Sequence, residues 1–89
     1  MNGPYLEVTY RHGKPLAAYL YLPRRPRDRC VRVRHFDPEM RVDYRRDGQP
    51  IGIEILAPNK VSLVAVNRVL RTLGLPLAKR VDLAPLLAA

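Results

Sequence analysis

The sequence predicts an α+β domain: a five-stranded antiparallel β-meander covered by one C-terminal helix, with an apolar C-terminal tail. Three observations lead to this fold class. Apolar and polar residues alternate through the first two thirds of the chain, which is typical of half-buried strands. The dipeptide Asp47-Gly48 is a strong signal for a tight hairpin. After Pro58 the apolar residues recur at helical spacing, and we expect one domain at residues 1–74 and a tail at residues 75–89.

The first two strands are expected at residues 5–10 and 16–22. A three-residue turn that begins at His12 would join them and would place both apolar faces on the same side of the sheet. The cross-strand pairs that this register predicts are Leu6–Leu20, Val8–Ala18 and Tyr10–Leu16.

Strands three and four are expected at residues 30–36 and 40–46, after a polar loop at residues 23–29 that two prolines interrupt. Pairing of His35 with Met40 sets the valines of the two strands against each other on one face. The other face of this hairpin then gathers charged side chains. They are Arg32, Arg34, Arg41 and Asp43.

The fifth strand follows Asp47-Gly48, because both central positions of the tightest hairpin turns need a positive φ. In this register Arg46 faces Gln49, and Arg41 faces Glu54 on one side of the sheet. Three apolar pairs occupy the other side. They are Tyr44–Ile51, Val42–Ile53 and Met40–Ile55.

The predicted helix is about fourteen residues long, with Asn59 or Ser62 as its N-cap and Gly74 at its end. The tail that follows is apolar for a free end. Its leucines either finish covering the sheet or contact a second copy of the chain, and we expect a homodimer. The leucines assigned to this docking or dimer contact are Leu83, Leu86 and Leu87.

Composition indicates an anionic partner and a reducing compartment. The 89-residue chain has a formal net charge of +8 at pH 7, and positive potential speeds encounter with phosphate backbones and anionic proteins. Cys30 is the single cysteine, which excludes an internal disulfide framework. No segment approaches the ~18 uncharged apolar residues of a membrane span, and the N-terminus lacks a secretory signal. We therefore expect a cytoplasmic protein without membrane contact.

Residues 42–59 contain the Asp47-Gly48 turn and the strand Gly52-Ile53-Glu54-Ile55-Leu56, and they resemble a family of small bacterial proteins catalogued as a domain of unknown function, the 2283 family. The similarity covers about residues 7–60. The resemblance implies a compact, strand-rich fold with no established activity. Because some relatives lie beside toxin-like genes, it also implies an antitoxin or partner-binding role.

The inventory of reactive side chains favours a protein that is not an enzyme and that holds no metal or cofactor. Catalysis needs a nucleophile, a base and an orienting group that converge. Cys30 and His35 stand at opposite ends of one predicted strand and would meet only if the strand bent or a second copy intervened. No glycine loop precedes a helix to hold a phosphate. The carboxylates, at no spacing that wraps a metal ion, are explained by turns and by cross-strand pairs. They are Asp37, Glu39, Asp43, Asp47 and Glu54.

The arginines carry the functional hypothesis, because the predicted register places several on one sheet face beside an arginine-rich loop. Tyr19, Tyr21 and Phe36 would add stacking surfaces if they lie on that side. Such a patch indicates an interaction module that binds an acidic protein partner such as a toxin. The alternatives are a nucleic-acid-binding protein that uses the basic sheet face, and a solvated face without a ligand. The residues assigned to anion or partner binding are Arg24, Arg25, Arg27, Arg29, Arg32, Arg34, Arg41 and Arg45.

Overall fold

The computed structural model describes residues 5–87, and within them five antiparallel strands form one open sheet that short helices follow. The predicted α+β class is confirmed. The strands are β1 (Tyr5–Arg11), β2 (Lys14–Tyr21), β3 (Arg32–Asp37), β4 (Met40–Tyr44) and β5 (Pro50–Ile55). A 3₁₀ turn at Pro58–Lys60, α1 (Leu63–Thr72), a second 3₁₀ turn at Arg80–Leu83 and α2 (Ala84–Leu87) complete the described chain.

The strand order is β1-β2-β5-β4-β3, so the predicted simple meander is wrong. β5 lies in the centre, and the loop after β2 carries the chain across one end of the sheet to the far edge. The physical reason is the distribution of apolar side chains. Ile51, Ile53 and Ile55 are fully buried in β5, whereas the first four residues of β3 are exposed. The most apolar strand takes the centre, and a charged strand takes an edge, where charge discourages further pairing.

The β1–β2 hairpin keeps two of its three predicted pairs, Leu6–Leu20 and Val8–Ala18. The third pair is wrong, because Tyr10 faces Pro15 rather than Leu16. The turn contains two residues instead of three, His12 and Gly13, with φ angles of 52° and 76°. Two adjacent positive φ angles are the requirement of the tightest hairpin turn. An irregularity between Thr9 and Tyr10 absorbs the difference in register.

The β3–β4 register differs from the prediction by one residue, which reverses the two faces of β3. Arg34 faces Val42 and Arg32 faces Tyr44, so both arginines lie on the core side of the sheet, while Val33 faces Asp43 on the open side. The reason is Phe36, at the irregularity between His35 and Asp37, which packs against the core cluster. Burial of a phenylalanine outweighs burial of a valine at the edge of the sheet, because it removes more apolar area from water.

The β4–β5 register is confirmed for Val42–Ile53, Met40–Ile55 and Arg41–Glu54. The turn itself is longer than expected, because the backbone N–H of Arg45, not Arg46, donates to Gln49 over 3.0 Å. Gly48 has a φ of 91°, whereas the φ of Asp47 is not positive, so the described turn lacks the two adjacent positive angles that were expected. Tyr44 consequently pairs with Pro50 instead of Ile51, across an irregularity in the ladder.

Helix α1 begins at a capped N-terminus, since the Ser62 hydroxyl accepts a hydrogen bond from the Ala65 N–H at 3.1 Å. It is ten residues long, shorter than predicted, and Gly74 with a φ of 71° follows its end. Val64 is exposed. The buried residues of α1 belong to the same core cluster as those of β2, β4 and β5. They are Val66, Val69 and Leu70.

The described part of the tail is held to α1 by two hydrogen bonds between one side chain of α1 and the backbone of one tail residue. Asn67 donates through Nδ2 to the Ala78 carbonyl at 3.1 Å and accepts from the Ala78 N–H at 2.7 Å. Leu83 and Leu86 are buried in the core cluster of their own chain. The side chain of Leu87, also assigned to docking, lies outside the described structure, as do residues 88–89.

The burial of Leu83 leads to a stability prediction. Leu83→Ala should lower the free energy of unfolding by about 2–5 kcal/mol, because it leaves a cavity in the core. The matched control is Leu77→Ala, since Leu77 is 47% exposed and should change stability little. Urea denaturation at two protein concentrations measures both. A loss for Leu83→Ala that vanishes at high concentration would indicate instead that this leucine stabilises a contact between copies.

Candidate functional site

The structure does not bring the predicted basic sheet face together. Arg32 and Arg34 lie on the core side of β3, and Arg41 lies on the open side of β4. Arg41 forms an ion pair with Glu54, and this hydrogen bond raises its pKa. Its Nε atom is buried and has no hydrogen-bond partner within the described part of the chain. The predicted face is therefore wrong as a single surface, and Arg41 is engaged in the sheet.

Tyrosines and carboxylates, instead of arginines, occupy much of the open face. The rings of Tyr19 and Tyr21 are tilted against each other with centroids 4.7 Å apart, and Tyr5 lies 5.9 Å from Tyr21. Tyr19 donates from its hydroxyl to Asp43 Oδ2 at 2.7 Å, and burial followed by this hydrogen bond raises the pKa of Tyr19. Phe36, the third predicted stacking residue, packs on the core side.

Gly52 provides the space that Tyr19 occupies. Gly52 lies in β5, between the strand that carries Tyr19 and the strand that carries Asp43. A Cβ atom at this glycine would overlap the hydroxyl and two ring atoms of Tyr19. The ring therefore crosses the central strand and connects β2 to β4.

An open cleft of about 420 Å³ lies where the loop after β2 meets the tip of the β4–β5 hairpin. The loop cannot continue the sheet because prolines interrupt it, so it crosses the end of the sheet on its way to β3. This crossing brings loop arginines next to hairpin arginines. We name it the arginine cleft; its lining residues are Arg25, Arg27, Asp28, Arg29, Val31, Arg45, Arg46 and Asp47.

Asp28 organises the arginine cleft from the inside, since its side chain is only 6% exposed. Oδ2 accepts from the backbone N–H of Arg25 and from Nη1 of Arg45, both at 2.9 Å. Oδ1 accepts from Nε of Arg25 at 3.2 Å. The Arg25 backbone hydrogen bond, followed by those of the two guanidinium groups, lowers the pKa of Asp28 to about 2. The carboxylate thus joins the loop to the hairpin.

Arg45 is engaged by two carboxylates, at 2.7 Å from Asp47 Oδ1 and at 2.9 Å from Asp28 Oδ2. The hydrogen bonds to Asp47 and Asp28 raise the pKa of Arg45. In turn, the Arg45 side chain and then the Gln49 backbone N–H lower the pKa of Asp47. Arg45 therefore supports the cleft and is not available to a ligand without rearrangement.

Three arginines of the cleft remain available to an anion. Arg27, Arg29 and Arg46 are exposed, and none of them forms an ion pair with a carboxylate of residues 5–87. Arg25 forms an ion pair with Asp28 but keeps most of its side chain in water. The cleft thus combines an aspartate whose charge is compensated by Arg25 and Arg45 with three exposed guanidinium groups that form no ion pair with a described carboxylate.

The other predicted arginines are held against aromatic rings. Arg24 donates to the Asp28 carbonyl at 2.9 Å and lies over the Tyr21 ring, with its guanidinium carbon 5.6 Å from the centroid. Arg32 lies over Tyr44 at 5.0 Å. Arg34 lies over Phe36 at 4.9 Å. Such contacts orient a guanidinium group and leave its charge in place.

Arg46, Asp28, Asp47 and Val31 line the cleft but were not predicted to do so. The signal for Asp28 is its position three residues after Arg25, because an acidic side chain at this spacing can reach back to the earlier backbone N–H, as in a capping box. No local pattern indicates that the hairpin tip and the crossing loop meet, because that contact depends on the strand order.

The reactive side chains considered in the sequence are dispersed. The Cys30 thiol contacts the Arg32 carbonyl at 3.4 Å, and His35 pairs with Arg41 on the neighbouring strand. Asp37 accepts from the Glu39 N–H at 2.8 Å within its own turn. Among the described residues, no group of three histidine, cysteine or acidic side chains is placed to hold a metal ion. The arginine cleft, with five arginines and two aspartates among its lining residues, is thus the candidate site.

The lowered pKa of Asp28 predicts a dependence of stability on pH. An aspartate with a lowered folded-state pKa stabilises the fold above its unfolded pKa, near 3.8, and this contribution is lost as the pH falls towards about 2. We therefore expect Asp28→Asn to be less stable than the wild type at neutral pH, and the difference to shrink between pH 4 and pH 2. Urea denaturation across this range tests it. A constant difference would contradict the proposed ionisation.

The contact of Gly52 with Tyr19 predicts a second effect. Gly52→Ala should lower the free energy of unfolding by roughly 1–3 kcal/mol, because the new methyl group displaces the tyrosine ring. The same substitution in a Tyr19→Ala background should cost less, since the space is then free. A double-mutant cycle measures the coupling between the two positions. Additive losses would show that the ring and the glycine are independent.

Comparison of the chain with protein-family models, curated proteins and solved structures finds no match. The similarity over residues 7–60 described above therefore stays a prediction. No helix among residues 5–87 combines the length and the apolar character required to cross a membrane.

Proposed function

We propose that this domain is a non-enzymatic interaction module that binds an acidic protein partner, of the kind an antitoxin binds, through the arginine cleft. The observation that carries the proposal is a set of three exposed guanidinium groups in the cleft that also contains the ion-paired Asp28. These groups belong to Arg27, Arg29 and Arg46. Guanidinium groups suit carboxylates because their parallel N–H donors match both carboxylate oxygens. A fold that holds these groups apart from its own carboxylates leaves them available to a partner.

An acidic protein fits the geometry better than a nucleic acid does. The alternative depended on a basic sheet face, but the open face carries Glu7, Asp43 and Glu54 among its tyrosines. These carboxylates would repel a phosphate backbone that follows the tyrosine rings. The arginine cleft is confined to one end of the sheet, so it suits a few carboxylates rather than a long polyanion.

The proposal places the protein in the cytoplasm, where reducing conditions would keep the exposed Cys30 thiol free. It does not require a homodimer. The expectation of a dimer was based on unburied leucines in the tail, and Leu83 and Leu86 are buried within their own chain. The homodimer stays a prediction, and the proposed partner site is complete within one copy.

Matched charge variants test the arginine cleft. The first variant changes Arg27, Arg29 and Arg46 to Gln, and the control makes the same change at three exposed arginines outside the cleft, Arg68, Arg71 and Arg80. Both variants lose the same net charge. Each exposed guanidinium–carboxylate contact contributes roughly 0.5 kcal/mol, so the cleft variant should bind a labelled oligoglutamate peptide about tenfold more weakly than the wild type.

Fluorescence anisotropy at two salt concentrations measures this affinity. We expect binding by the wild type and the control to weaken as salt screens the charges. Equal losses for both variants would mean that net charge alone attracts the peptide. Tighter binding to single-stranded DNA than to oligoglutamate would favour the nucleic-acid alternative instead.

A further inference from the structure

We propose that the acidic partner adds an extended segment to the free edge of β3, as a sixth strand, with acidic side chains at alternate positions opposite Arg32 and Arg34. This inference depends on the proposed function for the charge of the partner. It concerns a different surface, however, and it specifies how the partner binds and which sequence pattern it carries.

The edge of β3 is available for pairing. Within the described structure β3 pairs with β4 and with no other strand, so about half of its backbone N–H and C=O groups point away from the sheet. Residues 31–35 are exposed. An extended peptide gains affinity from such an edge through main-chain hydrogen bonds, and specificity through its alternate side chains.

The other edge of the sheet is a poorer site for an acidic segment. β1 carries Glu7 in its middle. A negative side chain at the edge repels an acidic strand. Both edge strands contain one ladder irregularity, near Tyr10 in β1 and near Phe36 in β3, so charge distinguishes the two edges and favours β3.

Two guanidinium groups on β3 define the spacing of the acidic residues. Arg32 and Arg34 lie on the same face, two residues apart, and the Tyr44 and Phe36 rings orient them. Residues two apart in a strand are separated by about 7 Å, and the same spacing holds in an added strand. Acidic side chains at positions i and i+2 of the partner would each face one arginine.

The residue between those acids would lie on the opposite face of the sheet. On that face β3 presents Val33, which is 44% exposed and faces Asp43. An apolar side chain at position i+1 would pack beside Val33 and remove apolar area from water. The partner segment is thus an alternation of acidic and apolar residues in an extended conformation.

The same charges disfavour a second copy of this chain as the occupant. Pairing of β3 with β3 of another copy would place arginines opposite arginines on one face, and like charges directly opposite each other destabilise a sheet. An acidic segment reverses the sign of this interaction. An added strand that continued past Arg32 would also reach Arg29 and Val31, which line the arginine cleft.

The test uses the full chain and a labelled peptide, acetylated and amidated, of sequence Thr-Val-Glu-Val-Glu-Val-Thr. We expect it to shift the amide NMR resonances of β3 and to slow hydrogen exchange of its outward N–H groups. Replacement of both glutamates by glutamine should weaken binding about fivefold. Unchanged binding of the glutamine peptide would overturn the acidic specificity.

Two N-methylated peptides separate strand addition from attraction by charge. One is methylated at odd positions and the other at even positions, and both keep the glutamates. Because a strand uses every second residue to bond one neighbour, one of them should lose binding by at least about tenfold and the other should retain it. Equal binding of both would overturn strand addition. Shifts confined to the arginine cleft would overturn it as well, while the proposed function would stand.

A charge exchange places the site on β3. Arg32→Glu with Arg34→Glu should abolish binding of the glutamate peptide and create binding of a peptide with lysine in place of glutamate. The control, Arg68→Glu with Arg71→Glu, makes the same change of net charge on α1 and should retain the glutamate peptide. Equal behaviour of the two variants would overturn the assignment to β3, as would single-stranded DNA that shifts the same amides and binds more tightly than the peptide.

Discussion

The arrangement of this domain depends on the burial of β5 in the centre of the sheet. Its three isoleucines are removed from water, and each contributes roughly 1.5–3 kcal/mol by burial, a sum comparable to the whole net stability of a small domain. Because β5 is so apolar, it needs a neighbouring strand on each side, and β2 and β4 are these neighbours. The remaining strands are left at the edges, where β3 exposes its arginines.

The position of β5 also produces the arginine cleft. Because β5 separates β2 from β4 and β3, the chain has to cross the end of the sheet after β2, and it passes the tip of the β4–β5 hairpin on the way. Asp28 fastens this crossing by accepting hydrogen bonds from Arg25 and Arg45. The proposed binding surface is therefore a consequence of strand order, and the charged residues that line it come from two distant parts of the sequence.

Local patterns predicted much of the sheet and little of the site. Alternation was sufficient for the pairs Val42–Ile53 and Met40–Ile55. The register that pairs these apolar residues on one face of the hairpin also pairs Arg41 with Glu54 on the other face. It failed for β3, since the irregularity near Phe36 shifts the pairing by one residue and leaves no trace in the alternation. The strand order could not be predicted from local patterns, because they do not indicate which strand pairs with the second edge of β2. The contact of Arg46 with the loop could not be predicted either, because it depends on this strand order. Four of the predicted arginines do lie in the crossing loop, and two of them, Arg27 and Arg29, line the cleft without an ion pair to a described carboxylate.

The dependence of β3 on one aromatic anchor has an evolutionary consequence. Phe36 packs against the core, whereas Arg32, Val33, Arg34 and His35 are exposed. If β3 binds the proposed partner, substitutions at these four positions would alter recognition at little cost to folding. Selection for foldability and selection for specificity would then act on different side chains of one strand, so the same scaffold could acquire new ligands.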